Sequence, residues 1–346
     1  MNSPKSARLG VRIVAYGLMV LFAFTLIELF VIAGLKAPGM LNNFPVALHE
    51  AFRRFYIRRD MYSPTLSPDC GRYDSGTFYT LKPGECLFKN REFAVKLRVN
   101  SAGLRDDENS LSRPNIIVLG DSEAMGWALD EPLTFASTLE RETGLTVLNA
   151  SMGSFGTARE SIMLERLDRS ALKAVILQYN ANDYTENATF AADGKITIRS
   201  ENEYEEWRQS NEKRRRYIPF RFTYYFIKDN VRRFKNLPTT SLSMEKELDA
   251  FLPPFRELAG HVPGIPIFLF EMGGGNMNRK GFAEGAHSRL KTLDPDLAAR
   301  VIPVQLADGF DKSMIFDLDW HFNAKGHAVV ADRLKAALSA QGVVGR

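Results

Sequence analysis

The hydrophobic pattern divides the chain into stretches of different character. The first holds the longest apolar run, Ile13 to Leu35, whose 23 residues carry a single charge, Glu28. As a helix this run would be about 35 Å long, enough to cross a bilayer. Lys5, Arg8 and Arg12 precede it, and Lys36 alone follows closely. The positive-inside bias then predicts a single-pass anchor in the inner (cytoplasmic) membrane. Residues 1–12 would be cytoplasmic, 13–35 transmembrane, and everything beyond Lys36 extracytoplasmic, in the periplasm. The run is longer than a typical signal core, which favours an uncleaved anchor over the alternative of a cleaved signal peptide. Glu28, a carboxylate at membrane depth, either meets another membrane segment or snorkels toward an interface.

Residues 36–110 read as a stem followed by a small β-rich segment. Asn43 to Arg59 is amphipathic and carries Arg53, Arg54, Arg58 and Arg59, fitting a membrane surface or a solvated stem equally. Tyr62 to Asn100 is broken by Pro64, Pro68 and Pro83, with strict alternation in Phe93–Val99. That pattern predicts short strands packed on the main domain. Cys70 and Cys86 lie within it, and in an extracytoplasmic domain such a pair predicts a disulfide.

From residue 111 to 346 short apolar strands alternate with helices. The strands are Ile116–Leu119, Leu145–Ala150, Ala174–Tyr179, Pro266–Met272 and Val301–Val304, with helices at Thr134–Glu142 and Ala158–Leu167. Continuous apolar strands separated by helices predict an α/β fold, with a central, mainly parallel five-stranded sheet covered on both faces. An insertion, 184–264, separates the third and fourth strands. It contains EKRRRYIPFRFTYYFIKDNVRR, read as a helical excursion that borders the active site or touches lipid headgroups.

Composition narrows the classes. The 346 residues are 45% hydrophobic and 25% charged, with a net charge of +4, too little to suggest nucleic-acid binding. There is no CxxC and no His/Cys cluster, so no metal site is expected. Neither a GxGxxG nor a P-loop spacing occurs, so no nucleotide cofactor is expected either.

In parallel sheets ligands sit beyond the C-terminal strand ends, so the residues there carry the candidate chemistry. After the first strand stand Gly120, Asp121 and Ser122. A serine at a strand-to-helix turn is placed as a nucleophile, although the same tripeptide read alone is a common helix cap. After the second strand comes NASMGSFGT, Asn149 to Thr157, and after the third Asn180-Ala181-Asn182-Asp183. A serine needs a base. Of the five histidines, His321 stands in FDLDWHFNAKGH beside Asp317 and Asp319, whereas His327 reads as a packing or surface residue.

Together these blocks resemble the SGNH (GDSL-type) hydrolases, a family of esterases and lipases, from about Ile116 to the C-terminus. The resemblance implies that fold, a three-layer α/β/α sandwich, and assigns Ser122 as nucleophile. It assigns an oxyanion hole built from the Ser122 and Ser154 N–H groups and the Asn182 amide. Ser154 stands where the family has glycine, between Gly153 and Gly156, and Asn180 likewise replaces a glycine. His321 would be the base, oriented by Asp319 or, second, Asp317. The implied activity is a serine esterase removing acyl groups from a cell-envelope molecule, an acylated carbohydrate or lipid. One alternative is an O-acetyltransferase of envelope polysaccharide working beside a membrane acyl-donor protein, for which Glu28 is a natural contact. The other is an inactive binding or assembly module.

Overall fold

The computed structural model describes residues 4–235, 242–277 and 279–345. Residues 1–3 of the expected cytoplasmic segment and 236–241 of the expected insertion lie outside the described residues. In chain order the helices are α1 (Pro4–Lys36), α2 (Val46–Phe55), α3 (Ser122–Met125), α4 (Phe135–Thr143), α5 (Thr157–Glu165) and α6 (Tyr184–Asp193). They continue with α7 (Glu201–Arg215), α8 (Arg221–Lys235), α9 (Met244–Gly260), α10 (Phe282–Leu293), α11 (Pro295–Ala298) and α12 (Ala324–Ala340). The strands are β1 (Gly71–Asp74), β2 (Phe78–Leu81), β3 (Gly84–Lys89), β4 (Ala94–Val99), β5 (Ile116–Leu119), β6 (Val147–Asn149), β7 (Ala174–Tyr179), β8 (Ile267–Glu271) and β9 (Val301–Pro303).

The chain forms two compact units, and they cut across the segments expected from sequence. One draws on residues 1–61, 212–239 and 317–319, the other on 62–211, 240–316 and 320–346. The stem therefore groups with the apolar helix and the middle of the insertion, while the small β-rich segment groups with the sheet.

The larger unit is built on a five-stranded parallel sheet in the order β6-β5-β7-β8-β9. Strands β5, β6 and β7 are buried throughout, β8 in all but its last residue and the edge strand β9 only at Val301, which is why the central strands read as near-continuous apolar runs. Ile116, Val118, Ile176, Phe268 and Phe270 point to one layer with Phe135 and Leu139 of α4 and Val330 and Leu334 of α12. On the other face, α5, α6 and α9 pack together, and Tyr179 of β7 stacks on Phe282 of α10 beside Phe251 of α9. Helix α9 lies inside the expected insertion yet belongs to this covering layer. Its Pro253-Pro254 pair obscured the helical pattern. Thr134 and Asn323 cap α4 and α12 with their side-chain oxygens, the usual cure for free N–H groups at a helix start. Two antiparallel hairpins, β1–β2 and β3–β4, form the β-rich segment. The Cys70–Cys86 disulfide joins the residue before β1 to β3.

In the smaller unit α1 is long and apolar enough to cross a membrane. Its C-terminal half is not bare, however: Val31 and Leu35 are buried in a cluster with Leu41, Phe52, Phe55, Tyr56, Phe222 and Leu318. Glu28 is also buried and accepts hydrogen bonds from Thr223 N–H (2.7 Å), Thr223 Oγ1 (2.8 Å) and Phe222 N–H (3.4 Å). These donors lie at the N-terminus of α8, where a carboxylate is favoured by the free N–H groups and the helix dipole. The Glu28 carboxylate is thus satisfied within this chain by the first turn of α8, so it is not an open contact for a donor protein.

Candidate active site

Strand order locates the site before any side chain is considered. In chain order the strands run 2-1-3-4-5, the flavodoxin-like doubly wound arrangement, whose crevice opens between the C-terminal ends of the first and third strands. Here those are β5 and β7. Ser122 follows β5 and Asn182 follows β7.

The turn carrying Ser122 is fixed from below and above. Gly120 has φ +154°, and a Cβ there would lie 2.5 Å from Gln178 Oε1, so only glycine fits. Gln178 accepts the Asp121 N–H at 2.9 Å and donates to the Met272 carbonyl, also at 2.9 Å, tying β5, β7 and the end of β8 together. Asp121 caps the one-turn helix α3 by accepting the Glu123 N–H at 2.9 Å. The cap reading and the nucleophile reading thus belong to different residues: Asp121 caps, and Ser122 is free to face the crevice.

Ser122 Oγ lies 2.7 Å from His321 Nε2, across 199 positions of sequence. The imidazole stacks on the Trp127 indole (centroids 4.8 Å apart, planes at 13°), and Trp127 meets Phe88 of β3 edge-on at 5.0 Å. The disulfide-linked hairpin therefore supports the histidine through two aromatic contacts. Glu123 is buried beside them and accepts the Phe322 N–H at 3.0 Å and the Gly274 N–H at 2.9 Å. It clamps the His321 loop and the β8 loop to the serine turn. Burial pushes its carboxyl up to about 7, against the downward pull of His321. Trp127, Glu123 and Gln178 escaped the sequence reading. The only trace of Glu123 there is an acidic residue after the serine, which has no period to mark it.

The loops that carry the expected oxyanion donors are equally defined. A Cβ on Gly153 would lie 3.8 Å from Ser122 Cβ, so the loop after β6 comes directly against the serine. Ser154, next in that loop, has φ +63°. Glycine adopts this left-handed conformation freely, whereas a side chain there costs about 1 kcal/mol. Gly156 drops out as a donor, since its N–H is given to Glu186 Oε1 at 3.1 Å. Asn182 and Asn180 each donate from Nδ2 to Asp121 Oδ2 at 3.0 Å. A side-chain amide carries two hydrogens, so Asn182 keeps a second one. Asn180 is accommodated beside Gly273, where a Cβ would approach its Oδ1 to 3.0 Å.

Asp319 is completely buried, and its Oδ2 accepts from Tyr56 O–H at 3.1 Å. Asp317 instead offers its backbone carbonyl to His49 Nε2 (3.0 Å) and Arg53 Nε. His327 is a core residue: Nδ1 accepts the Phe135 N–H at 3.1 Å, and burial pushes its pKa down to about 3.

A cleft of about 700 Å³ is bordered by Ser154 and Asn182. Its wall carries Trp207, stacked on Phe78 with centroids 5.8 Å apart, and the Arg159–Glu186 ion pair at 2.5 Å. Beneath it Glu160 and Asp183 are buried, and burial followed by neighbouring carboxylates pushes both well above the usual carboxylate range.

No family model matches the sequence, and no curated protein matches it significantly. Among solved structures, the chain is similar to an active-site mutant of a family two carbohydrate esterase from Clostridium thermocellum. That match has 14% identity and a TM-score of 0.39, covering 67% of this chain and 64% of that one. It is similar to a GDSL-like lipase from Bacteroides ovatus, with 16% identity, a TM-score of 0.38, and 69% and 56% of the two chains covered. It is also similar to the salicylyl-acyltransferase SsfX3 of a tetracycline biosynthetic pathway, with 13% identity, a TM-score of 0.40, and 67% and 56% covered. The chain spans under two thirds of the length of each. The reading of its function therefore rests on its own side chains.

Proposed function

We propose that this protein is an SGNH-type serine hydrolase acting on an ester-linked acyl group of a carbohydrate in the cell envelope. The observation carrying the proposal is the 2.7 Å contact between Ser122 Oγ and His321 Nε2 at the sheet's switch point. With Nε2 unprotonated, the Ser122 hydroxyl donates to it. Oγ attacks the ester carbonyl carbon while His321 takes the proton. The resulting oxyanion lies against the backbone N–H groups of Ser122 and Ser154 and the second Asn182 hydrogen. As the tetrahedral adduct collapses, His321 returns the proton to the leaving alcohol. Water, activated by the same imidazole, then attacks the acyl-serine and releases the carboxylic acid. Asp319, two residues before His321 and fully buried, is the carboxylate assigned to fix the imidazole tautomer.

The mixed lining of the cleft favours a sugar over a long acyl chain. An aromatic platform, Trp207 on Phe78, stands among Thr185, Thr189, Arg159, Glu186 and Glu203, side chains that hydrogen-bond hydroxyl groups. The same cleft has room for an acceptor sugar, so transfer of the acyl group to a glycan hydroxyl is the second reading. The short Ser–His contact speaks against the inactive binding module. The long apolar helix and the disulfide support an anchored, extracytoplasmic location.

A fluorophosphonate probe, a p-nitrophenyl acetate assay and an added glycan acceptor test this with the full chain in detergent. Labelling should map to Ser122 and vanish in Ser122→Ala. Labelling that survives Ser122→Ala would show the nucleophile to be misassigned. Acetyl groups appearing on the glycan faster than free acetate would select transfer.

A further inference from the structure

The apolar helix α1 is exposed on all sides over only part of its length. From Ile13 to Phe24 its side chains are exposed, including Ile13, Val14, Leu18, Val20 and Phe22. From Thr25 onward one face of the helix sinks into its own unit, with Glu28, Val31, Gly34 and Leu35 buried, while Leu26, Leu29, Ala33 and Lys36 stay exposed on the other. Twelve residues at 1.5 Å each give about 18 Å, against about 30 Å of hydrocarbon. Over the rest of its length α1 offers lipid one face only, and the apolar surface on its other side must come from whatever stands beside it.

Helix α8 stands there, its N-terminus bound to Glu28. It turns Arg221, Phe222, Thr223 and Asp229 inward and an apolar stripe outward. Tyr224, Ile227 and Val231 are exposed at 54%, 39% and 46%, a spacing of i, i+3, i+7 that places them on one face. A helix facing water would carry charges on that face. Tyr217 and Ile218 extend the stripe at 53% and 58% exposure. An apolar hollow of about 570 Å³ joins Val20, Leu21 and Phe24 of α1 to Ile218, Phe220 and Tyr224, so the two exposed surfaces are continuous. Lys228 leans over the rings of Tyr224 and Tyr225 and donates to Tyr224 Oη at 3.0 Å. Aromatic rings with a lysine are the composition of a membrane–water interface.

We propose that α8 is an interfacial membrane helix, its Tyr224–Ile227–Val231 face seated among lipid acyl chains just below the headgroups. It supplies apolar surface on the side where α1 is buried. The inference rests on the anchor reading, and the experiment separates the two. Single spin labels at Val20→Cys, Ile227→Cys, Val231→Cys and, as an exposed control, Leu293→Cys are placed in the full chain; Cys70 and Cys86, joined in the disulfide, do not label. Each protein is reconstituted in phosphatidylcholine–phosphatidylglycerol vesicles, and collision with oxygen and with a water-soluble nickel chelate is measured. The labels at 227 and 231 should favour oxygen over nickel several-fold more than the label at 293, at a shallower depth than the label at 20. Nickel accessibility at 227 and 231 equal to that at 293, with the label at 20 deep, would overturn the α8 proposal and leave the anchor standing. If the label at 20 is also aqueous, the anchor reading fails and the proposal with it. Shielding of 227 and 231 from both reagents would assign the face to a second copy of the chain and equally overturn it.

Discussion

Asn180 and Asn182 provide a sharp test of the site, because they make the same bond with different expected consequences. Each donates from Nδ2 to the same buried oxygen, Asp121 Oδ2, at 3.0 Å. A hydrogen bond to a charged group stabilises a fold by about 1.5–3 kcal/mol, so alanine at either position should cost a similar amount. For a protein of this size that lowers Tm by roughly 2–4 °C. Only Asn182 lines the cleft beside Ser154, and only its second hydrogen is assigned to the oxyanion. Loss of one such donor costs about 3 kcal/mol of transition-state stabilisation, or roughly 150-fold in kcat, with little change in KM. Asn180→Ala should lower kcat by no more than a few-fold. The assay is steady-state hydrolysis of p-nitrophenyl acetate by wild type and both variants, with thermal unfolding in parallel. The reasoning is refuted if the two variants lose activity equally while their Tm values match, or if Asn182→Ala acts on KM alone.

Further expectations follow from the same geometry. Asp319→Ala should reduce kcat by about three to four decades if it fixes the His321 tautomer, whereas Asp317→Ala, which keeps the backbone carbonyl held by His49 and Arg53, should lower kcat far less if Asp319 is the orienting carboxylate. A single-turnover assay of both variants decides between them. Ser154→Gly should retain full activity, because the assigned donor is a backbone N–H and glycine accepts the φ of +63° without strain; a kcat loss above tenfold would place the side chain itself in the reaction. His327 is held neutral, its pKa pushed down to about 3 by burial. Below the unfolded value near 6.5 the unfolded chain binds a proton that the folded one refuses. Stability is then lost as pH falls, by about 1.4 kcal/mol per unit. Between pH 6.5 and 4.5 wild type should lose about 2–3 kcal/mol more than His327→Gln, measured by urea unfolding; equal losses would contradict a neutral buried histidine. Removing the Cys70–Cys86 bridge by a double alanine variant should cost about 3 kcal/mol for a loop of 16 residues. Because Phe88 on the bridged hairpin supports Trp127 and His321, kcat should fall with it; an unchanged kcat would show that the aromatic contacts do not need the bridge.

Much of the architecture was legible in the linear pattern because it depends on local periodicity. Ile116–Leu119 and Ala174–Tyr179 form strands at the bounds their apolar runs suggest, since a strand buried on both faces needs no partner information to be seen. The blocks around Ser122, Asn182 and His321 were visible as short polar groups after apolar runs. Folding alone decided which of them meet. Ser122 and His321 are 199 positions apart, and no spacing rule links them; the parallel crossovers bring them to one crevice. The supports are of the same kind. Trp127, Glu123 and Gln178 are ordinary letters in sequence, and they matter only because β3, β8 and the His321 loop pack against them. The apolar run Ile13–Leu35 gave a helix by composition, but the burial of one face of its second half was set by α2 and by α8, a helix nearly two hundred residues later. Periodicity reports what each segment can bury, whereas the tertiary fold chooses the partner that buries it.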